Sequence, residues 1–132
     1  GKSIEYSTGF SKTIIHAPAT QVLKESTSET ITRILVRVVD EYLANGKAKL
    51  EHHSIAAKTG TAQIADSVNG GYYDDRYLHS FFGYFPAYDP KFIIFLYAVE
   101  PKGVNYASET LTVPFMDLAQ FLINYYNLPP DR

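Results

Sequence analysis

Ile31, Ile34, Leu35, Val38, Val39, Tyr42 and Leu43 fall at i, i+3, i+4, i+7, i+8, i+11 and i+12, the spacing of one face of an α-helix. Ser26 and Glu29 ahead of them match an S-x-x-E capping box. Asn45-Gly46 behind them suits a left-handed stop. The pattern predicts a helix over 27–45. Residues 54–65 then read as a strand, followed by a turn-rich loop over 66–76 that looks too long for a tight hairpin. LHSFFGYFP at 78–86 predicts a second strand, Tyr88–Lys91 a turn, and FIIFLYAV at 92–99 a third strand. The short connections make the three strands antiparallel neighbours.

The third strand is apolar at every position and the second nearly so, as in strands buried on both faces. The expectation is a central third strand with helices on each side of the sheet. Leu111, Phe115, Leu118, Leu122 and Tyr125, spaced 4, 3, 4 and 3 apart, predict a C-terminal helix. Pro114 sets its regular start near Thr112, and Asn127 with Pro129-Pro130 ends it. Residues 1–25 show no clear period and read as an irregular, loop-rich arm with room for a short extended segment. The fold class is α+β, a three-stranded antiparallel sheet with helices packed on it.

Composition narrows the function classes. The chain has 132 residues, 45% hydrophobic and 14% aromatic, enough for one packed domain and too apolar for disorder. The net charge of −2 leaves no basic footprint for nucleic acid. Without cysteine there is neither a disulfide frame nor a thiolate metal site. No apolar run spans a bilayer, so the chain as given is expected to be soluble, with an anchored parent left open.

One stretch does not suit a structural strand. In HSIAAKTGTAQIAD, residues 53–66, Lys58-Thr59-Gly60-Thr61 interrupts an apolar run, and a packed strand gains nothing from Gly60. Alternation puts Lys58 and Gly60 on one face and Thr59 and Thr61 on the other. A glycine beside a lysine leaves a gap with a cation at its rim, and Thr61 adds a hydroxyl and an amide N–H. Alone, K-T-G is three common residues.

The wider context is more specific. IAAKTGTAQ, then a glycine-containing loop, then HSFFGYFPAYDPKFIIFLYAVEPKG and a helix containing VPF resemble the C-terminal part of a penicillin-binding protein transpeptidase domain. The closest likeness is to the monofunctional class B proteins, and it covers residues 18–126. Ala57 departs from the glycine of many relatives. The resemblance implies a partial β-lactamase/transpeptidase-like fold that continues in a parent domain at the outer face of the cytoplasmic membrane or in the periplasm. It implies a serine that attacks the penultimate D-alanine carbonyl of a peptidoglycan stem peptide ending in D-Ala-D-Ala, with β-lactam antibiotics acylating the same serine. It assigns Lys58 positive potential and proton transfer, Thr59 strand geometry, and Gly60 room for substrate backbone. Thr61 would bind the substrate carboxylate through its hydroxyl and supply an oxyanion donor through its N–H. No cofactor or metal is implied.

The nucleophile itself is absent: no lysine has a serine three places before it. Ser67-Val68-Asn69 matches S-x-N as letters but follows K-T-G, whereas the family places S-x-N first. The chain therefore reads as a C-terminal piece, inactive alone, that needs the rest of the parent domain and is prone to self-association. A non-catalytic β-lactam sensor domain or a serine β-lactamase shares the motif, and an adaptor with an accidental K-T-G is a further alternative. An S-x-x-K followed by S-x-N upstream would discriminate. His52 and His53 beside Glu51 read as a surface or strand-entry pair, because zinc needs a further placed ligand and nothing in the spacing brings in His16 or His79. Asp74, Asp75 and Arg76 read as a local salt bridge or solvated turn, with a substrate-facing rim as the alternative. Tyr72, Tyr73 and Tyr77 anchor the loop or form a lid. Phe81, Phe82, Tyr84 and Phe85 read as core.

Overall fold

The structure, a computed structural model, describes residues 2–5, 11–14 and 20–132. Two short strands, β1 (Lys2–Glu5) and β2 (Ser11–Ile14), pair antiparallel with Lys2 opposite Ile14. The arm read as irregular thus contains a paired hairpin; residues 1, 6–10 and 15–19 lie outside the described residues.

Helix α1 spans Glu25–Arg37 and runs on as a wider π turn, Val38–Tyr42, and a tight final turn, Leu43–Gly46. The expected capping box does not form. Ser26 is already inside the helix, and the Thr27 and Ser28 N–H groups bond the Lys24 carbonyl at 3.0 and 3.1 Å. The stop is as anticipated: Ala44, Asn45 and Gly46 all adopt positive φ, a conformation glycine and asparagine tolerate best. The buried line is Thr32, Val36, Val39 and Leu43, while Ile31, Ile34 and Tyr42 are exposed.

The main sheet has the order β3-β4-β5, with β3 at Ala56–Ala65, β4 at Tyr72–Phe85 and β5 at Phe92–Val99. All neighbours are antiparallel. Two expectations are corrected here. β4, not β5, is central, and β5 lies at an edge. The residues 66–76 are not a long loop, because Asp66–Gly71 forms a compact turn and β4 begins at Tyr72. Gly70 and Gly71 take the positive φ the turn requires. Tyrosines 72 and 73 favour extended backbone, so the hairpin continues past the second strand read from the sequence.

Helix α2 spans Ala107–Tyr125, starting five residues before Thr112, with Pro114 accommodated inside it. Its buried ridge runs at four-residue steps, Ala107, Leu111, Phe115, Ala119 and Ile123, rather than through Leu118 and Tyr125. The small alanines let the helix approach the sheet closely. Phe115 stacks on Phe81 at 4.3 Å between ring centroids, and Phe85, Ile94 and Ile55 complete this layer.

The opposite face is covered only in part. Val36 of α1 packs on Ala56 and Ala87, and the Thr32 hydroxyl meets the Tyr84 hydroxyl at 2.7 Å. Beyond α1, Ile93, Phe95 and Tyr97 on β5 are 70%, 60% and 64% exposed. β5 is apolar on both faces, as its sequence says, yet among the described residues only one face is covered.

Candidate functional site

The entry to β3 is pinned from three directions. Ser54 is buried, and its N–H donates to Asp131 Oδ1 at 2.7 Å while its hydroxyl bonds Oδ2 of the same carboxylate. The Ala87 N–H donates to Ser54 Oγ at 2.9 Å. This node joins the chain end, the β4–β5 turn and the start of β3, so the strand that carries K-T-G-T leaves a fixed point. From there Ala57, Thr59 and Thr61 face α2, opposite Gly83, Phe81 and His79 of β4, and Ala56, Lys58 and Gly60 face the α1 side. The expected alternation holds. The other edge of β3 has no strand partner among the described residues, which leaves alternate backbone N–H and C=O groups of the motif pointing outward.

Lys58 is exposed, and its Nζ donates to the Thr59 carbonyl at 2.7 Å. Beside it opens a groove of about 550 Å³ lined by Tyr42, Asn45, Lys58, Thr59, Ser108 and Glu109, among others. The Glu109 carboxylate is held by the Tyr106 N–H at 3.1 Å. The gap expected at Gly60 is bordered by Ser80: a Cβ at Gly60 would meet Ser80 Oγ at 2.6 Å. Thr61 is exposed, and its Oγ1 accepts the Ala107 N–H at 3.0 Å. That amide belongs to the first residue of α2, where N–H groups lack intrahelical partners.

One neighbour of Thr61 escaped the sequence reading. His79 stands directly across the ladder from Thr61 and is fully buried. Its Nδ1 lies 2.9 Å from Thr110 Oγ1 and its Nε2 lies 3.2 Å from the Asn105 carbonyl oxygen. Only the β3–β4 register brings these residues together, and the register depends on the turn that the sequence reading took for a loop.

The remaining candidates fall elsewhere. Ser67-Val68-Asn69 sits in the turn at the far end of β3, where the Val68 and Asn69 N–H groups donate to Asp66 Oδ1. Those bonds, with the Asn69 amide on Oδ2, hold the Asp66 carboxyl down at about 2. His53 Nε2 meets the Leu128 carbonyl at 3.1 Å, and His52 lies beside Glu51. No cluster of metal-ligating side chains occurs among the described residues, and His16 lies outside them. Arg76 turns away from Asp74 and Asp75, stacking over the Tyr73 ring at 4.1 Å and reaching Glu100 at 3.9 Å. The Tyr77 hydroxyl donates to the Asp74 carbonyl. Of the aromatic cluster, Phe81 and Phe85 are core, whereas Phe82 is 37% exposed.

K-T-G-T thus lies on a strand whose outer edge has no partner among the described residues, followed by β4, β5 and the closing helix α2. The sequence profile of the penicillin-binding protein transpeptidase domain matches residues 2–118. The chain belongs to that family. Among curated relatives it is similar to the peptidoglycan D,D-transpeptidase FtsI of Buchnera aphidicola, 30% identical over 112 residues, which is 84% of this chain and 19% of the relative. It is also similar to the probable peptidoglycan D,D-transpeptidase PenA of Neisseria meningitidis, 26% identical over 124 residues, 93% of this chain and 21% of the relative. The chain thus spans about a fifth of the length of these relatives. Its fold superposes on the crystal structure of penicillin-binding protein 3 from Mycobacterium tuberculosis with a TM-score of 0.74 and 25% identity, over 99% of this chain and 31% of that one. The same protein has been solved with ampicillin and with aztreonam. The likeness to class B transpeptidases read from K-T-G-T-A-Q and the strands after it is borne out. No helix among the described residues is long and apolar enough to cross a membrane.

Proposed function

We propose that this chain is one wall of the active site of a peptidoglycan D,D-transpeptidase and that the nucleophilic serine lies in the rest of the parent domain. The observation that carries this reading is K-T-G-T on β3, whose outer edge has no strand partner among the described residues, with Lys58 and Thr61 both exposed. The parent acts on a stem peptide ending in D-Ala-D-Ala at the extracytoplasmic side of the membrane, and β-lactams are its inhibitors.

In the reaction, the serine hydroxyl attacks the penultimate D-alanine carbonyl and terminal D-alanine leaves with the serine proton. The amine of a second stem peptide then displaces the serine to give the cross-link. Lys58 supplies positive potential and assists proton transfer. Thr59, turned toward α2, holds the strand geometry. Gly60 keeps the surface low beside the lysine. Thr61 donates its hydroxyl proton to the substrate carboxylate. The Thr61 N–H is an oxyanion donor, a group whose loss costs about a hundredfold or more in rate. Acyl transfer needs nucleophile and base within hydrogen-bond reach, so the 132 residues alone do not catalyse it.

Labelling of the full-length protein with a fluorescent penicillin tests this. Lys58→Ala is expected to cut the acylation rate about a hundredfold, the scale of a lost acid–base group, without changing the melting temperature. The Lys58 side chain is exposed and the backbone ladder is unaltered. Undiminished labelling of the variant would remove Lys58 from the site.

A further inference from the structure

The hydroxyl of Thr61 has to be aimed to bind a carboxylate, and the aim comes from β4. The Asn105 carbonyl can only accept, so the proton of His79 sits on Nε2 and donates to it at 3.2 Å. Nδ1 is then a lone pair facing the Thr110 hydroxyl at 2.9 Å. Asn105 and Thr110 flank Ala107, and the Thr110 hydroxyl shares its one proton between Nδ1 and the Ala107 carbonyl, to which it donates at 3.2 Å. One fully buried imidazole therefore grips the chain on both sides of the amide that caps Thr61 Oγ1. With a lone pair of Oγ1 occupied by the Ala107 N–H, the proton of the Thr61 hydroxyl is left to point away from α2, into solvent on the exposed side of the strand.

The geometry points to His79 as a positioning residue for the Thr61 hydroxyl. Through Asn105 and Thr110 it fixes the first turn of α2 against β3, so that the Ala107 N–H occupies the hydroxyl oxygen and the hydroxyl proton is presented to the carboxylate of the ligand. This rests on the proposed role of Thr61 and adds a residue outside the K-T-G-T motif. His79 touches neither ligand nor reacting atoms. Its effect is on recognition of the carboxylate, not on the acyl-transfer step.

The test compares benzylpenicillin with its methyl ester, which lacks the anionic carboxylate, in acylation of the full-length protein. Wild type is expected to favour benzylpenicillin. His79→Leu keeps the volume and removes both ring bonds, and it is expected to lower the preference ratio about tenfold, the scale of one lost hydrogen bond to a charged group. His79→Gln retains a donor for Asn105 and is expected to restore most of the ratio. Thr110→Val removes the partner of Nδ1 and the hydroxyl bond to the Ala107 carbonyl but leaves the Nε2 bond to Asn105; it is expected to lower the ratio about threefold, a smaller share of the same effect. A ratio unchanged in both His79→Leu and Thr110→Val, with only the melting temperature reduced, would overturn the proposal. If His79→Leu does not fold, Thr110→Val alone decides it in the same way. Wild type acylated by neither compound would overturn the transpeptidase reading and this proposal with it, a result distinct from an unchanged ratio in an active protein.

Discussion

Asp66 closes the β3–β4 turn by accepting the Val68 and Asn69 N–H groups and the Asn69 side-chain amide. These bonds favour the charged carboxylate and hold its pKa at about 2, below the ordinary 3.8. A depressed pKa means that the folded turn is favoured above the ordinary value and loses that support as pH falls toward 2. Protection of the Val68 and Asn69 amides, the intrinsic exchange rate at each pH divided by the observed one, is therefore expected to fall between pH 4 and 2. In Asp66→Ala protection is expected to be low across that window and to lack the acid step. An acid step that survives in Asp66→Ala would assign it to another group. The same residue-level accounting changes what a Thr61 variant means. Thr61→Val removes the acceptor of the Ala107 N–H as well as the donor proposed for the ligand. Thr61→Ser keeps both and is the cleaner control.

Among the elements, the β4–α2 contact leaves no room for an added carbon at Gly83. A Cβ on Gly83 would overlap the Phe115 ring and come within 2.9 Å of Ala57 Cβ. Phe115 cannot retreat, because it stacks on Phe81 and is fully buried. Gly83→Ala is expected to destabilise the fold by about 1–3 kcal/mol, the range for overpacked cores, read as a lower midpoint in urea unfolding. An unchanged midpoint would mean that α2 is not seated on β4 as described. The glycine of HSFFGYFP is visible in the sequence, but its reason is not, since it depends on a helix some thirty residues on. Period and turn chemistry did reveal the three strands, the Asn45-Gly46 stop and a helix on each side of them. Two misreadings have physical causes. Pro114 does not set the start of α2: it is the eighth residue of the helix, past the first turn where proline fits freely, and the Leu111, Phe115 and Ala119 ridge buried against the sheet holds the chain helical through it. Asp66–Gly71 packs into a turn because the Asp66 carboxylate takes three donors from Val68 and Asn69, a local side-chain-to-backbone closure that the length of the stretch masked. The motif residues were legible as residue types, whereas His79 needed the register.

At the scale of the whole molecule, the outer face of β5 conflicts with a self-sufficient domain. Its sequence is that of a strand covered on both faces, yet Ile93, Phe95, Tyr97 and Val99 are exposed and the strand edge is unpaired among the described residues. Exposed apolar surface and a free edge invite pairing with other chains. The isolated 132-residue chain is expected to sediment as a dimer or larger species, and a monodisperse monomer at high concentration would show that this face is tolerated bare. The proposed parent domain, with these residues as one wall, accounts both for the bare face of β5 and for the absence of S-x-x-K from the sequence. Intact mass spectrometry with benzylpenicillin tests that most directly. The account predicts a single penicilloyl adduct on the full-length protein, mapped to a serine outside these 132 residues, and no adduct on the isolated chain. An adduct on the isolated chain, above all one mapped to Ser67, would contradict it.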